Sequence, residues 1–467
     1  MSDARLSSRS SASLPVSLGR FKQYPRTKPS GIDWVGSVPE HWRLASLRWN
    51  AKLYAGGTPD RAQDVYWDEG TIPWINSGAV NQILIKEPSA FITHDGYSNS
   101  SARWVPKGAL VMALAGQGKT KGMVAQVDID TTCNQSMAAI VPGEKLAPRF
   151  LFWWLTAQYI TVRNLSGGEQ RDGLNLEIIG SLAVPLLPLD EQRRIACFLD
   201  TQTAKIDTLV SKKRELIERL KEKRQALISQ TVTRGLPPDA ARAAGLDPYP
   251  KLNPSGIEWL GDVPRHWVVK RLRFLGDAII GLTFDPGDIV DEGRGTLVLR
   301  ASNVVAGRIV LEDTLFVRGP IPDRLITRAG DILICSRSGS RALIGKNAMI
   351  DERSAGLTFG TFMTVFRSSH NEFLSYVFNS QLFEFQSGAF LTSTINQLTV
   401  SNLYSFEVPV PPPSEQRLIT AFLRREVARI DELSATIEEA VERALEYRSA
   451  LTTAAVTGKI DVRGLAK

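Results

Sequence analysis

A chain that carries its own sequence twice can fold only into two related halves, and this one does. The stretch SGIDWVGSVPEHWRLASLRW, from residue 30, returns as SGIEWLGDVPRHWVVKRLRF from residue 255, identical at 11 of 20 positions. A second match closes each copy: VPLLPLDEQRRIACFLDTQTAKID from residue 184 and VPVPPPSEQRLITAFLRREVARID from residue 408. The offsets are 225 and 224, so the copies differ in length by about one residue. Between the matched ends the halves share little beyond a rhythm of short strands and turns. Two units of one architecture with different surfaces follow.

The closing match predicts a helix in each half. A Pro-rich break precedes Asp190 or Ser414, whose side-chain oxygens suit a helix start, and Glu191 and Glu415 then face the positive end of the helix dipole. Positions spaced by four and three, apolar but for Gln202, Lys213 and Lys223, run through Ile195, Leu199, Gln202, Ile206, Leu209, Lys213, Leu216, Leu220, Lys223 and Leu227. Their counterparts are Ile419, Leu423, Glu426, Ile430, Leu433, Ile437, Ala440, Ala444, Tyr447 and Leu451. This is a heptad seam on helices of about 40 residues, roughly 60 Å long, which outreach any domain of about 155 residues. Something else must cover the seam. Residues 205–224 hold eight basic and four acidic side chains, and residues 429–448 hold three basic and six acidic, so the two helices are expected to pair with each other. The order globule, helix, globule, helix makes an antiparallel coiled coil natural, in a pseudo-twofold rod.

The fold class is α+β, with two mixed, mostly β domains and two long helices. The expected layout is a flexible basic tail at 1–29, a first domain at 30–187, its helix at 188–236 and a linker at 237–254. A second domain at 255–411, its helix at 412–455 and a C-terminal tail at 456–467 complete it. No apolar run approaches the roughly 18 residues of a membrane span, and the N-terminus lacks the apolar core of a secretory signal. Cys133, Cys197 and Cys335 lie far apart without metal-ligand spacing, which fits a reducing cytoplasm and neither disulfides nor zinc. A net charge of +7 and a pI near 9.2 suit a polyanionic partner.

One stretch invites a different reading. ALVMALAGQGKTKG, residues 109–122, ends an apolar run in Gly-Lys-Thr, like a phosphate loop. Such a loop needs glycines at both ends and a helix after it. Ala113 stands where the first glycine belongs, and Val124, Val127 and Ile129 alternate as in a strand. The element reads as a hairpin with Lys119 and Lys121 on an exposed tip. His41 and His266, in PEHW and PRHW, have no acid or nucleophile beside them in the sequence and read as structural. No Gly-x-Ser-x-Gly, His-Glu-x-x-His, Cys-x-x-Cys or Asn-Pro-Pro-Tyr pattern offers catalysis.

What the loops offer are groups that meet DNA: Arg for guanine, Asn or Gln for adenine, Lys for phosphate. The candidates are Thr58, Asn76, Ser77, Gln117, Lys119, Lys121 and Arg171 in the first half. In the second they are Ser302, Asn303, Arg337, Ser338 and Arg341.

The layout resembles the specificity subunits of type I restriction-modification systems. The motifs that carry the likeness are SGIDWVGSVPEHW and SGIEWLGDVPRHW, GGTP at residue 56, IPWINSG at 72, GDILICSRSGS at 330, and LPLDEQRRIACFLD and PPPSEQRLITAFLR at the helix starts. It covers nearly the whole chain from residue 30. Copy one carries GALVMALAGQG where the family pattern is nearer GDILISRSG, and copy two lacks GGTP. The resemblance implies a non-catalytic, cytoplasmic prokaryotic protein that reads a bipartite, asymmetric site on double-stranded DNA. It implies two methyltransferase subunits that flip adenine out of the duplex, and translocase-nuclease restriction subunits. S-adenosylmethionine, ATP and Mg would belong to those partners, with no cofactor in this chain. The competing class is a freestanding two-domain DNA-binding regulator, which would act alone and commonly carries a helix-turn-helix; none is evident in the sequence.

Overall fold

A computed structural model describes residues 18, 19, 21–116, 118–165, 173–389 and 397–465. The chain divides into two compact units, residues 1–212 with 440–467 and residues 213–439. The first holds a five-stranded sheet in the order Ala51–Ala55, Met137–Pro142, Leu110–Ala113, Val124–Val127 and Leu84–Ile85. Beside it runs Ala90–Ile92, Ile72–Ile75, Thr131–Cys133 and Trp104–Val105. The second unit repeats four strands of the first sheet with Asp277–Ile280, Met363–Arg367, Ile332–Cys335 and Asn347–Met349. It repeats three of the other with Phe316–Val317, Thr296–Leu299 and Thr358–Phe359, to which Ile289–Val290 adds beside Phe316–Val317.

Register makes the match residue by residue. Met137 faces Ala113 and Ala138 faces Ala55 in the first unit. Met363 faces Cys335 and Thr364 faces Ile280 in the second. The apolar runs LVMA and ILIC are buried throughout, as central strands covered on both faces must be. Gly108 and Gly330 enter them at φ +89° and +87°, a left-handed turn that favours glycine.

The long helices are Leu189–Arg234 and Pro413–Val456, 46 and 44 residues, or about 70 Å each at 1.5 Å per residue. Each starts two residues earlier than caps at Asp190 and Ser414 would set. The N–H groups of Gln192 and Gln416 donate to the carbonyls of Pro188 and Pro412, at 3.0 Å in each case, so Asp190 and Ser414 lie inside the first turn and cap nothing. Proline serves at these positions because its missing N–H would have had no partner there. Asp190 pairs instead with Arg194 at 2.9 Å.

In both units the helices pair antiparallel. In the first, Ile195, Leu199 and Ile206 share a core with Leu451. In the second, Ile217, Leu220, Ile430 and Ile437 form one cluster, while Leu227 and Ile228 join Ile419 and Leu423. Part of the expected seam is displaced by one residue: Leu209, Leu216 and Leu433 are about half exposed, Val210 and Ile217 are buried in place of the first two, and Val427 and Val441 are buried beside the expected Glu426 and Ala440. Adjacent apolar residues at 209–210 and 216–217 fit two phases of the same heptad, and only the antiparallel partner selects between them. Asp207 binds Arg448 at 2.8 Å in the first unit and Asp431 binds Arg224 at 2.9 Å in the second. By the offset of 224 these are the same repeat pair with the helices exchanged.

The glutamate of the Glu-Gln pair at each helix start ties the opening block of its domain. Glu191 is buried and accepts from the Tyr24 hydroxyl at 2.7 Å, Trp42 Nε1 at 3.1 Å and His41 Nε2 at 2.8 Å. Glu415 meets His266 Nε2 at 2.7 Å. Both histidines are therefore structural. The described residues of the expected tail, 18, 19 and 21–29, are not loose: Leu18 and Tyr24 are buried and Thr27–Pro29 pairs with Ser37–Pro39. Residues 456–465 are not one either, since Ile460 and Val462 lie in the first unit's core. The linker holds a helix, Pro238–Ala243, and a strand, Leu252–Pro254. Cys133 and Cys335 are buried and Cys197 is exposed, all three free, and burial pushes the Cys133 thiol up to about 12. Among the described residues no helix is long and apolar enough to cross a membrane.

Candidate nucleic-acid interface

Four strands end together in each unit, and the loops that leave those ends carry most of the expected contact residues. In the first unit they follow Ala55, Ile75, Ala113 and Cys133, joined by the pairs Ala113 with Met137 and Ile75 with Cys133. Thr58, Asn76, Ser77 and Lys119 lie on three of these loops and Gln135 on the fourth. In the second unit the loops follow Ile280, Leu299, Cys335 and Phe359, and bring Thr283, Ser302, Arg337, Ser338 and Phe362 to the same end.

The second unit's loops enclose a cleft of about 520 Å³, lined by Arg300, Ser302, Arg337, Ser338 and Phe362 among others. The Arg337 guanidinium lies 5.2 Å over the exposed Phe362 ring, a cation–π contact. Arg300 binds Asp313 at 2.8 Å and keeps its Nε buried without a partner. Arg341 is exposed on the turn Arg341–Leu343, outside the cleft lining. Asn303 is a correction: it is fully buried, accepting from the Arg300 N–H and donating to the carbonyls of Val310 and Asp313, so it shapes the loop and reaches no solvent.

In the first unit the Gly-Lys-Thr stretch is a hairpin, with Val124 opposite Met112 and a strand where a phosphate loop needs a helix. Lys119 is exposed beside a cleft of about 240 Å³, and its carbonyl accepts from Tyr159. Lys121 is a second correction, since it is only 8% exposed and not on the tip. It precedes Gly122, whose N–H donates back to the Ala113 carbonyl at 2.9 Å as the strands begin to pair, and this draws it inward. Thr58 donates to Gln135. Asn76 spends its Oδ1 on the N–H of Gly78 at 2.8 Å, capping the turn Ser77–Asn81. Gln117 and Arg171 lie outside the described residues.

The type I restriction modification DNA specificity domain model matches residues 51–219 and 321–443, more than half of the chain. The chain belongs to the type I DNA specificity family. Among its relatives are the EcoR124I/EcoR124II specificity subunit of Escherichia coli, 26% identical over 44% of this chain, and the EcoKI specificity subunit of strain K12, 25% identical over 43%. Those matches span about half the length of the E. coli proteins, 50% and 44%. The MjaVIII specificity subunit of Methanocaldococcus jannaschii is 23% identical over 92% of this chain and 95% of its own. The same fold occurs in a chain of a type I R-M system solved for its complex assembly and conformational transition, with TM-score 0.69, 18% identity and 90% and 98% of the two chains covered. It occurs again in the HsdS subunit of Thermoanaerobacter tengcongensis, with TM-score 0.50, 18% identity and 91% and 98% covered. Specificity subunits are a non-catalytic class.

Sequence reading missed Arg300, Phe362 and Thr283. The signal for Thr283 was present: register places Gly281-Leu-Thr-Phe where the first half has Gly56-Gly-Thr-Pro. A Cβ on Gly56 would meet the Cys133 carbonyl at 1.9 Å, and one on Gly281 the Gly360 carbonyl at 2.1 Å, so the same close approach demands glycine in both.

Proposed function

We propose that this chain reads a bipartite, asymmetric site on double-stranded DNA, one half-site per unit, and scaffolds two adenine methyltransferase subunits together with restriction subunits. The observation that supports this most is that one four-loop end occurs in each unit with unlike side chains: Arg337, Ser338 and Phe362 in one, Thr58, Gln135 and Lys119 in the other. Equal scaffolds with unequal reading surfaces suit two unlike half-sites. The arginine donors match guanine, and exposed lysine matches phosphate. S-adenosylmethionine, ATP and Mg belong on this reading to the partner subunits, and among the described residues no cluster of His, Cys, Asp and Glu could hold a metal. Sequencing of methylated adenines in the source genome, with and without this gene, tests it. Loss of methylation at one bipartite motif is expected, and an unchanged methylome refutes it.

A further inference from the structure

We propose that Trp49 and Phe274, each with the arginine before it, anchor one protein partner that docks on this chain twice; this rests on the methyltransferase reading above. The repeated block ending at these residues is explained almost everywhere by its own fold. Trp42 and Trp267, and Leu47 and Leu272, are buried, His41 and His266 hold the helix-start glutamates, and Gly36 and Gly261 turn at φ +70° and +67°. The final pair has no such explanation. Trp49 is 81% exposed and Phe274 68%, and each follows an exposed arginine, Arg48 or Arg273. A single exposed aromatic is ordinary, but the same one kept at the same position in both halves is a shared surface.

The position of that surface decides its partner. Trp49 sits near the start of strand Ala51–Ala55 and Phe274 near the start of Asp277–Ile280, whereas the reading loops leave the other ends of those strands. Five residues of strand put about 17 Å between the two at 3.3 Å per residue. The reading loops differ between the units as two unlike half-sites require, while this surface is alike in both, so its partner is alike in both. Trp and Arg dominate the centres of protein interfaces, and these rings lie at the strand ends away from the reading loops. The Arg273 guanidinium lies 4.8 Å over the Phe274 ring, presenting cation and apolar face together. In the second unit a groove of about 560 Å³ beside it is lined by Lys270, Arg271, Arg273 and Glu407, the last paired with Arg271 at 3.1 Å. The first unit has Ala45 and Ser46 in place of Lys270 and Arg271 and shares only the arginine before the ring. The complementary partner carries an apolar socket rimmed by carboxylates.

The test uses the full chain and the adenine methyltransferase subunit of the same genome, with stoichiometry read by native mass spectrometry and affinity by titration. Wild type takes two copies. Trp49→Ala and Phe274→Ala each lose one, with at least a tenfold weaker second site, and the double variant loses both; Trp49→Phe and Phe274→Trp retain them. Circular dichroism and thermal midpoint stay unchanged, because neither ring is in a core. A double variant that still takes two copies at unchanged affinity overturns the proposal. So does a variant that keeps both copies but binds duplex DNA more weakly, which assigns the rings to DNA. A wild-type chain that takes no methyltransferase overturns the functional reading itself, and this surface with it.

Discussion

The same glutamate does unequal work in the two units. Glu191 accepts from two buried donors, Tyr24 and Trp42, besides His41. Glu415 holds only His266 among the described residues, and Trp267 leaves its Nε1 buried without an acceptor. The counterpart of Tyr24 is Tyr249, 71% exposed against 6%. The cause lies in the segment after each long helix. Past the second helix, the Asp461 N–H donates to the Lys22 carbonyl at 2.7 Å and the Arg463 guanidinium lies 4.8 Å over Tyr24. Past the first, Pro237 stands at the position of Asp461 and has no N–H to donate. A repeat can thus keep its motif while the chain around it decides how much that motif stabilises.

The largest expected effect tests that difference. Glu191→Ala strands two buried donors and should destabilise the first unit by roughly 2–5 kcal/mol, whereas Glu415→Ala should cost its unit about 1 kcal/mol. Hydrogen exchange of amides in each unit separates the two, and equal losses would erase the contrast. Next, Arg337→Ala should cost about 1–3 kcal/mol and relax one base position in one half-site only, measured by titrating a library of variant duplexes. Relaxation in both half-sites would contradict separate reading. The smallest effect is that of Lys119→Ala, which should weaken binding alike on all sequences and reduce the salt slope by about one, read from titrations at several salt concentrations. ATP binding by the purified chain that this change abolished would restore the phosphate-loop reading.

Much of the scaffold was legible because the repeat states it: two units, two long helices and an antiparallel pairing come from matched ends and a heptad. The phase of the seam was not, since Leu209 beside Val210 and Leu216 beside Ile217 satisfy one spacing equally well. Both Pro-x-His-Trp and Glu-Gln were visible as repeats, but the meeting of His41 with Glu191, 150 residues apart in sequence, is written in no spacing. The interface was legible only as loops. Residue type suggested Asn303 and Lys121, yet polar side chains also satisfy buried backbone and close turns, and burial decides which task each performs.

If the two units read DNA separately on a shared scaffold, their reading surfaces can be exchanged separately. Replacing residues 50–180 with the matching segment of a relative of different specificity, and sequencing methylated adenines in cells carrying the chimaera, tests this most directly. Separate reading predicts that one half of the methylated motif changes to the relative's and the other half stays. A motif changed in both halves would contradict it.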